Sequence, residues 1–188
     1  GRRTKNLFSR KKKYHQRHRS HRISFWDGIP KEWVPKKKAL LSLSADSKAN
    51  VFVNGKLAVL DAPSKRGATA LDCYYQDYDI LSYLKRGENL LTFVVTYFGK
   101  SGNSYLSSGQ GGLLFDLDLK DQVISSDSSL KVKRLDAYRR DKRRKAHTLN
   151  SLLAENDIYY DARAEDGDYT SLAFDDSSWE NATVIASP

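Results

Sequence analysis

The sequence predicts an all-β protein, an antiparallel β-sandwich of jelly-roll type with short helical turns and a basic N-terminal arm. Three observations carry this. Short runs rich in β-branched and aromatic residues recur at close spacing with turn residues between them, and almost no long helical pattern appears. Asn54-Gly55 falls directly between two apolar runs, the strongest short-range signal for a type I′ hairpin, because both residues tolerate positive φ. The run Asn89-Leu90-Leu91-Thr92-Phe93-Val94-Val95-Thr96 is almost continuously apolar, so it reads as a strand buried between layers.

Along the chain, residues 1–25 show no helical or alternating apolar period, and their like charges repel. They are read as a flexible or extended arm, with the sandwich domain occupying 26–188. Pro35 drives Val34 toward extended geometry. Ala39 to Ser44 and Asn50 to Val53 then read as two short strands joined by a polar turn, and Lys56 to Leu60 returns after the Asn-Gly turn. Tyr74 to Ile80 is rich in β-forming aromatics. Asp79 is placed to cap a short helical turn over Leu81 to Leu84, which Arg86-Gly87 ends. After the central strand, Gly112 to Leu119 and Gln122 to Ser125 form a pair around Lys120-Asp121, and Leu130-Lys131-Val132-Lys133 alternates.

The chain has 188 residues, enough for one domain with an ordinary core or a domain plus a tail. It contains no Met, and it reads as a piece of something longer. Its single cysteine, Cys73, cannot form an intramolecular disulfide, so packing must supply the stability. No apolar run approaches the roughly 20 residues that span a bilayer, and no signal peptide stands at the start, so no membrane partner is expected. Localisation is left open, with the cytoplasm favoured. Net charge is +9, but residues 1–38 carry 14 Lys and Arg against Asp27 and Glu32, whereas the rest carries 18 against 21 acidic residues. The high pI is therefore a property of the arm, and the domain proper is mildly acidic.

Several constellations invite a chemical reading. Glu165, Asp166, Asp168, Asp175 and Asp176 cluster, and glycoside hydrolysis needs two carboxylates across a sugar. Asp166-Gly167-Asp168 is, however, turn sequence, and Asp175 or Asp176 before Ser-Ser-Trp suits a cap. Calcium is a possible ligand for such oxygens, yet the spacing does not fit a calcium loop with Gly at its sixth position. No cofactor is expected. His15, His18 and His21 repeat every third residue, but ten Lys and Arg among the first 22 residues repel a cation. Gly109-Gln110-Gly111-Gly112 lacks the Lys-Ser/Thr of a phosphate loop. Tyr97, Phe98 and Tyr105 stand beside glycines at the end of the central strand, a usual place for a binding loop, although such aromatics are more often core or rim. Asp161 and Arg163, two residues apart, share a face of an extended segment, where they serve a structural ion pair or sugar hydroxyls. Arg139 to Lys145 and the arm are basic enough for counterion-driven nucleic-acid binding, but no reading module backs them and nucleic acid is disfavoured as a partner.

One set of strings goes further. Tyr159-Tyr160-Asp161-Ala162-Arg163-Ala164-Glu165 followed by Phe174-Asp175-Asp176-Ser177-Ser178-Trp179-Glu180-Asn181-Ala182 resembles the end of the N-terminal domain of bacterial α-L-rhamnosidases. Val51-Phe52-Val53-Asn54-Gly55-Lys56, Tyr78 to Asn89, Tyr97-Phe98-Gly99 and Gly111 to Phe115 agree in order, so the resemblance covers 39–188. It implies a galactose-binding-like β-sandwich without catalytic residues of its own, serving substrate recognition or scaffolding beside a downstream catalytic domain of the same polypeptide. That glycoside hydrolase would release terminal L-rhamnose from rhamnosides. It also makes a rhamnose-containing carbohydrate the expected partner, with Tyr97, Phe98, Tyr105, Asp161 and Arg163 as candidate contacts. A stand-alone rhamnose-binding module and an electrostatic nucleic-acid-binding domain are the alternatives.

Overall fold

The structure, a computed structural model, describes residues 20–25, 38–62, 74–99, 101, 106–107, 109–140 and 158–185. Twelve strands follow in chain order: β1 Ser20–Phe25, β2 Leu40–Asp46, β3 Lys48–Val53, β4 Lys56–Ala62, β5 Gln76–Asp79, β6 Leu91–Thr96, β7 Gly112–Asp118, β8 Val123–Ser125, β9 Lys131–Arg134, β10 Tyr138–Arg140, β11 Ile158–Tyr160 and β12 Glu180–Asn181. A six-stranded sheet runs β12-β9-β1-β6-β3-β4, a four-stranded sheet runs β5-β2-β7-β8, and β10 and β11 form a separate ribbon. Every pairing is antiparallel. The antiparallel sandwich is thus as the sequence predicts. Among the described residues no helix is long and apolar enough to cross a membrane.

The two sheets bury their facing sides on each other. Strand alternation sends Leu41 and Leu43 of β2, Val51 and Val53 of β3, Phe93 and Val95 of β6, and Phe115 and Leu117 of β7 into one core. Strand β6 carries no polar side chain but threonine, and Leu91, Thr92 and Phe93 in succession are buried, so it is covered on both faces. The outer cover at Thr92 comes from the C-terminal segment, whose Tyr169 carbonyl accepts the Thr92 hydroxyl.

The hairpin between β3 and β4 turns at Asn54 (φ 52°) and Gly55 (φ 80°), the positive pair that a type I′ turn requires. Asp79 accepts the Leu81 amide at 2.9 Å, while the N-cap of the short 3-10 turn Leu81–Tyr83 is Ile80 and not the expected Asp79. Lys120, at φ 75°, makes the β7–β8 turn, with its amide bound to Asp118 Oδ1 at 2.8 Å.

A further expectation changes. The sequence reads residues 1–25 as an arm, yet Ser20–Phe25 is a strand, paired with β6 on one side and β9 on the other. The charge of the surrounding run conceals the alternation of Ile23 and Phe25, and its partners lie far along the chain. Residues 1–19 lie outside the described residues. The strands β2 and β3, which the sequence reads as joined by a polar turn, are joined at Ser47 and belong to different sheets. Each sends alternate residues into the shared core, β2 also burying Ser44 and Asp46 on its other side, and the link at Ser47 carries the chain from one sheet to the other.

Candidate functional site

At the end of the sandwich where β2 and β6 finish and β3 and β7 begin, a polar cluster sits beneath the Tyr97-Phe98-Gly99 loop. Ser47 ties it together: its amide donates to the Thr96 carbonyl at 3.0 Å, and its hydroxyl accepts the Phe98 amide at 2.9 Å. The same hydroxyl donates to Asp46 Oδ1 at 3.1 Å. Asp46, 7% exposed, also accepts the Ser107 hydroxyl at 3.2 Å. A buried carboxylate is tolerated here because hydroxyl donors satisfy it.

These bonds decide what the loop aromatics offer. Phe98 is 7% exposed, its backbone amide is held by Ser47, and the Lys48 ammonium lies 5.8 Å from its ring centroid. It is a core ring covered by a cation rather than a free platform for sugar stacking. Tyr97 is half-buried and lies on the backbone of Gly111, where an added Cβ would stand 3.0 Å from its Cγ. Only glycine permits that approach. Burial pushes the Tyr97 phenol above its ordinary pKa; a hydrogen bond with Ser107 opposes the rise and the charge of Asp46 adds to it. Tyr105 lies outside the described residues.

The second group of candidates follows the β10–β11 ribbon, where the rings of Tyr138 and Tyr160 stand 5.0 Å apart. The Asp161 amide donates to the Ala137 carbonyl at 2.9 Å, and Asp161 then caps the 3-10 turn Ala162–Ala164. The segment is therefore a turn where an extended stretch was expected. Asp161 accepts the Arg163 Nε at 2.8 Å, its Nη2 at 2.8 Å and its backbone amide at 3.2 Å. The pair is bidentate and closes within one turn, which is the structural ion pair that the spacing allows. The Asp161 side chain is 15% exposed and that of Arg163 86%.

The downstream carboxylates also serve the local chain. Asp166 pairs with Lys133. Asp168 accepts the Thr170 hydroxyl at 2.7 Å and amide at 3.1 Å, and Asp175 accepts the Ser177 amide at 2.9 Å. The Asp175 carboxyl is held below its ordinary pKa by the Ser177 amide first and its hydroxyl second. Such turns hold the segment in place while Trp179, 5% exposed, packs edge-on against Phe174 with centroids 5.6 Å apart. Among the described residues no three His, Cys, Asp or Glu side chains converge as a metal site would require.

Sequence reasoning missed Asp46, Ser47 and Ser107, the group that sets the loop. Asp46-Ser47 lies between two apolar strands and looks like an ordinary surface turn; only its burial marks it. The Asn54-Gly55 and Gly87-Glu88-Asn89 strings, which point to the fold, meet in space. Asn54 Nδ2 donates to Asn89 Oδ1 at 2.8 Å and to the Tyr83 carbonyl at 3.0 Å. The candidates thus fall into two groups, around Tyr97 with Phe98 and around Asp161 with Arg163.

Comparison with known proteins agrees with this architecture. No curated protein sequence matches the chain. Among solved structures, a GH78-family rhamnosidase of Bacillus sp. GL1 is similar at 24% identity with a TM-score of 0.71, over 99% of this chain and 19% of its own. An α-L-rhamnosidase of Aspergillus terreus matches at 18% identity and a TM-score of 0.63, over 95% of this chain and 20% of its own. That of Streptomyces avermitilis, solved in complex with L-rhamnose, matches at 21% and 0.60, over 87% and 16%. The chain therefore spans about a fifth or less of the length of these rhamnosidases. At such identities the likeness shows the fold. The family model of the α-L-rhamnosidase N-terminal domain matches residues 36–188, and the chain belongs to that family.

Proposed function

We propose that this domain is a non-catalytic scaffold of an α-L-rhamnosidase, bracing a downstream glycoside-hydrolase domain of the same polypeptide that releases terminal L-rhamnose from rhamnosides. The observation that carries this reading is the engagement of the candidate side chains by partners within this chain. Asp161 is spent on Arg163, Asp168 and Asp175 on backbone amides, and Phe98 on the core. A residue that acts on substrate needs donors, acceptors or ring faces presented outward, and these are engaged within the fold.

The test is to titrate the purified chain with L-rhamnose, with and without calcium, while following backbone amide shifts. The sugar is chosen because the Streptomyces avermitilis relative was solved with it. A scaffold shows no saturable shift at high millimolar sugar. Saturable shifts confined to residues 97–111 or 160–165 would overturn the scaffold reading.

A second reading, a rhamnose-binding accessory domain, is favoured by one observation. Tyr97 is only half-buried, seated on Gly111 with its hydroxyl near Ser107. A rigidly seated tyrosine suits stacking on a sugar ring. This reading requires that Tyr97→Ala abolish rhamnose-induced shifts while Arg163→Ala, on the separate ribbon, leaves them intact.

A further inference from the structure

An asparagine followed by glycine carries a reaction of its own. With no Cβ on the glycine, nothing screens its backbone nitrogen from the asparagine side-chain carbonyl carbon. In the unfolded chain the Gly55 nitrogen, giving its proton to hydroxide or a buffer base, attacks Asn54 Cγ and closes a five-membered succinimide. The Cγ–Nδ2 bond breaks and ammonia leaves. Water then opens the ring to aspartate or isoaspartate. Each step needs the carboxamide free to swing over the Gly55 nitrogen.

In the fold that freedom is gone. Asn54 Nδ2 donates one hydrogen to the Tyr83 carbonyl at 3.0 Å and the other to Asn89 Oδ1 at 2.8 Å. Asn54 Oδ1 accepts the Leu90 amide at 3.0 Å, and the Asn54 amide donates to the Leu90 carbonyl at 2.9 Å. Asn89, 8% exposed, is itself fixed by bonds to Lys85 N (2.8 Å), Lys85 O (2.8 Å) and Gly87 O (2.7 Å). Both ends of the Asn54 carboxamide are therefore pinned, each to a group that is pinned in turn.

We propose that Asn54-Gly55 is a latent deamidation site, held unreactive by the Asn89 clamp, and that its reaction irreversibly releases the β3–β4 hairpin from the loop preceding β6. The product explains the irreversibility. A carboxylate at position 54 has no hydrogen for the Tyr83 carbonyl or Asn89 Oδ1 and sets negative oxygen against both, so the clamp cannot re-form. The release reaches the C-terminal segment too, because Gly55 stands against Thr170, whose carbonyl lies 3.7 Å from where a Gly55 Cβ would be.

The experiment incubates the purified chain at mildly alkaline pH, with and without urea, and follows aspartate and isoaspartate at position 54 by peptide mapping. Folded wild type is expected to react far more slowly than chain in urea. Asn89→Ala, checked for native amide dispersion, is expected to react about two- to tenfold faster than folded wild type, the factor that loss of one ordinary hydrogen bond corresponds to. Equal rates in the folded and unfolded wild type, or no acceleration in a folded Asn89→Ala, would overturn the proposal. Should that variant not fold, hydrogen exchange of the Asn54 side-chain amide in wild type decides: protection supports the clamp, and exchange at the free-amide rate refutes it.

Discussion

Phe93 of β6 and Phe115 of β7 stack across the two sheets, with ring centroids 4.6 Å apart and planes 21° from parallel. Both rings are almost fully removed from solvent, at 0% and 1% exposure. They join the middle of the six-stranded sheet to the four-stranded sheet, so the pair is a central contact of the sandwich. Phe93→Ala is expected to destabilise the domain by about 3–5 kcal/mol through lost transfer energy and the cavity left behind. Phe93→Leu, which keeps more of the volume, loses less. Urea unfolding measures both, and equal losses would show that ring packing is not what the position supplies.

Truncation separates strand from arm. Removing residues 1–19 deletes no described strand, and the urea midpoint should stay near that of the whole chain. Removing 1–25 takes out β1 and leaves β6 and β9 without the strand between them. Their ladder groups then face a gap, and the shorter chain is expected to lose cooperative unfolding. Two truncations of equal stability would contradict the placement of β1 in the sheet.

The Asp161–Arg163 pair should be asymmetric in its effect. Asp161 caps a turn and satisfies a backbone amide, so Asp161→Ala is expected to cost about 0.5–2 kcal/mol. Arg163 is mostly in solvent, and Arg163→Ala is expected to cost under about 1 kcal/mol. Chemical denaturation of the two variants checks this, and a larger loss for Arg163→Ala would assign that side chain a further contact.

Acid should weaken the fold through exposed carboxylates. Asp118 is held below its ordinary pKa by the hydrogen bond from Lys38 and then by the Lys120 amide, Asp127 by the Ser129 hydroxyl and amide, and Asp175 by Ser177. Unfolding returns each to the ordinary value of 3.8. Because the folded values are the lower ones, the stabilisation is complete above the unfolded pKa and is lost as pH falls through the folded values. The urea midpoint should hold level down to about pH 5 and drop below about pH 4, with a shallower drop in Asp127→Asn. A midpoint that rises on acidification would refute the direction of these shifts.

Much of the sandwich is legible in the sequence because its signals are local. The Asn54-Gly55 turn, the short turn that follows Asp79 and the buried run through Phe93 each depend on neighbours within a few residues. What escapes notice depends on distant partners. Nothing in Ser20 to Phe25 announces pairing with residues 91–96 and 131–134, and the basic residues around it argue for solvent. Phe98 reads the same whether its ring turns in or out, and its burial shows only in the fold, where the Ser47 hydroxyl, far upstream, holds its backbone amide. Asp161 and Arg163 are suggestive by spacing alone, and their use for each other is visible only once the 3-10 turn between them is seen.

The position of β1 bears on how the chain is made. Ser20 pairs with Thr96 and Ser24 with Lys131, so β1 is synthesised well before either of its partners. Its slot in the six-stranded sheet is not complete until β9 has emerged, and β12 adds to β9 later still. Closure of this sheet therefore follows synthesis of most of the domain, with the non-local pairing that slows folding. Strand β6 has both its neighbours, β1 and β3, as soon as it emerges, but β1 keeps an open edge until β9 arrives, and until then the nascent domain depends on prompt completion or on protection from its neighbours.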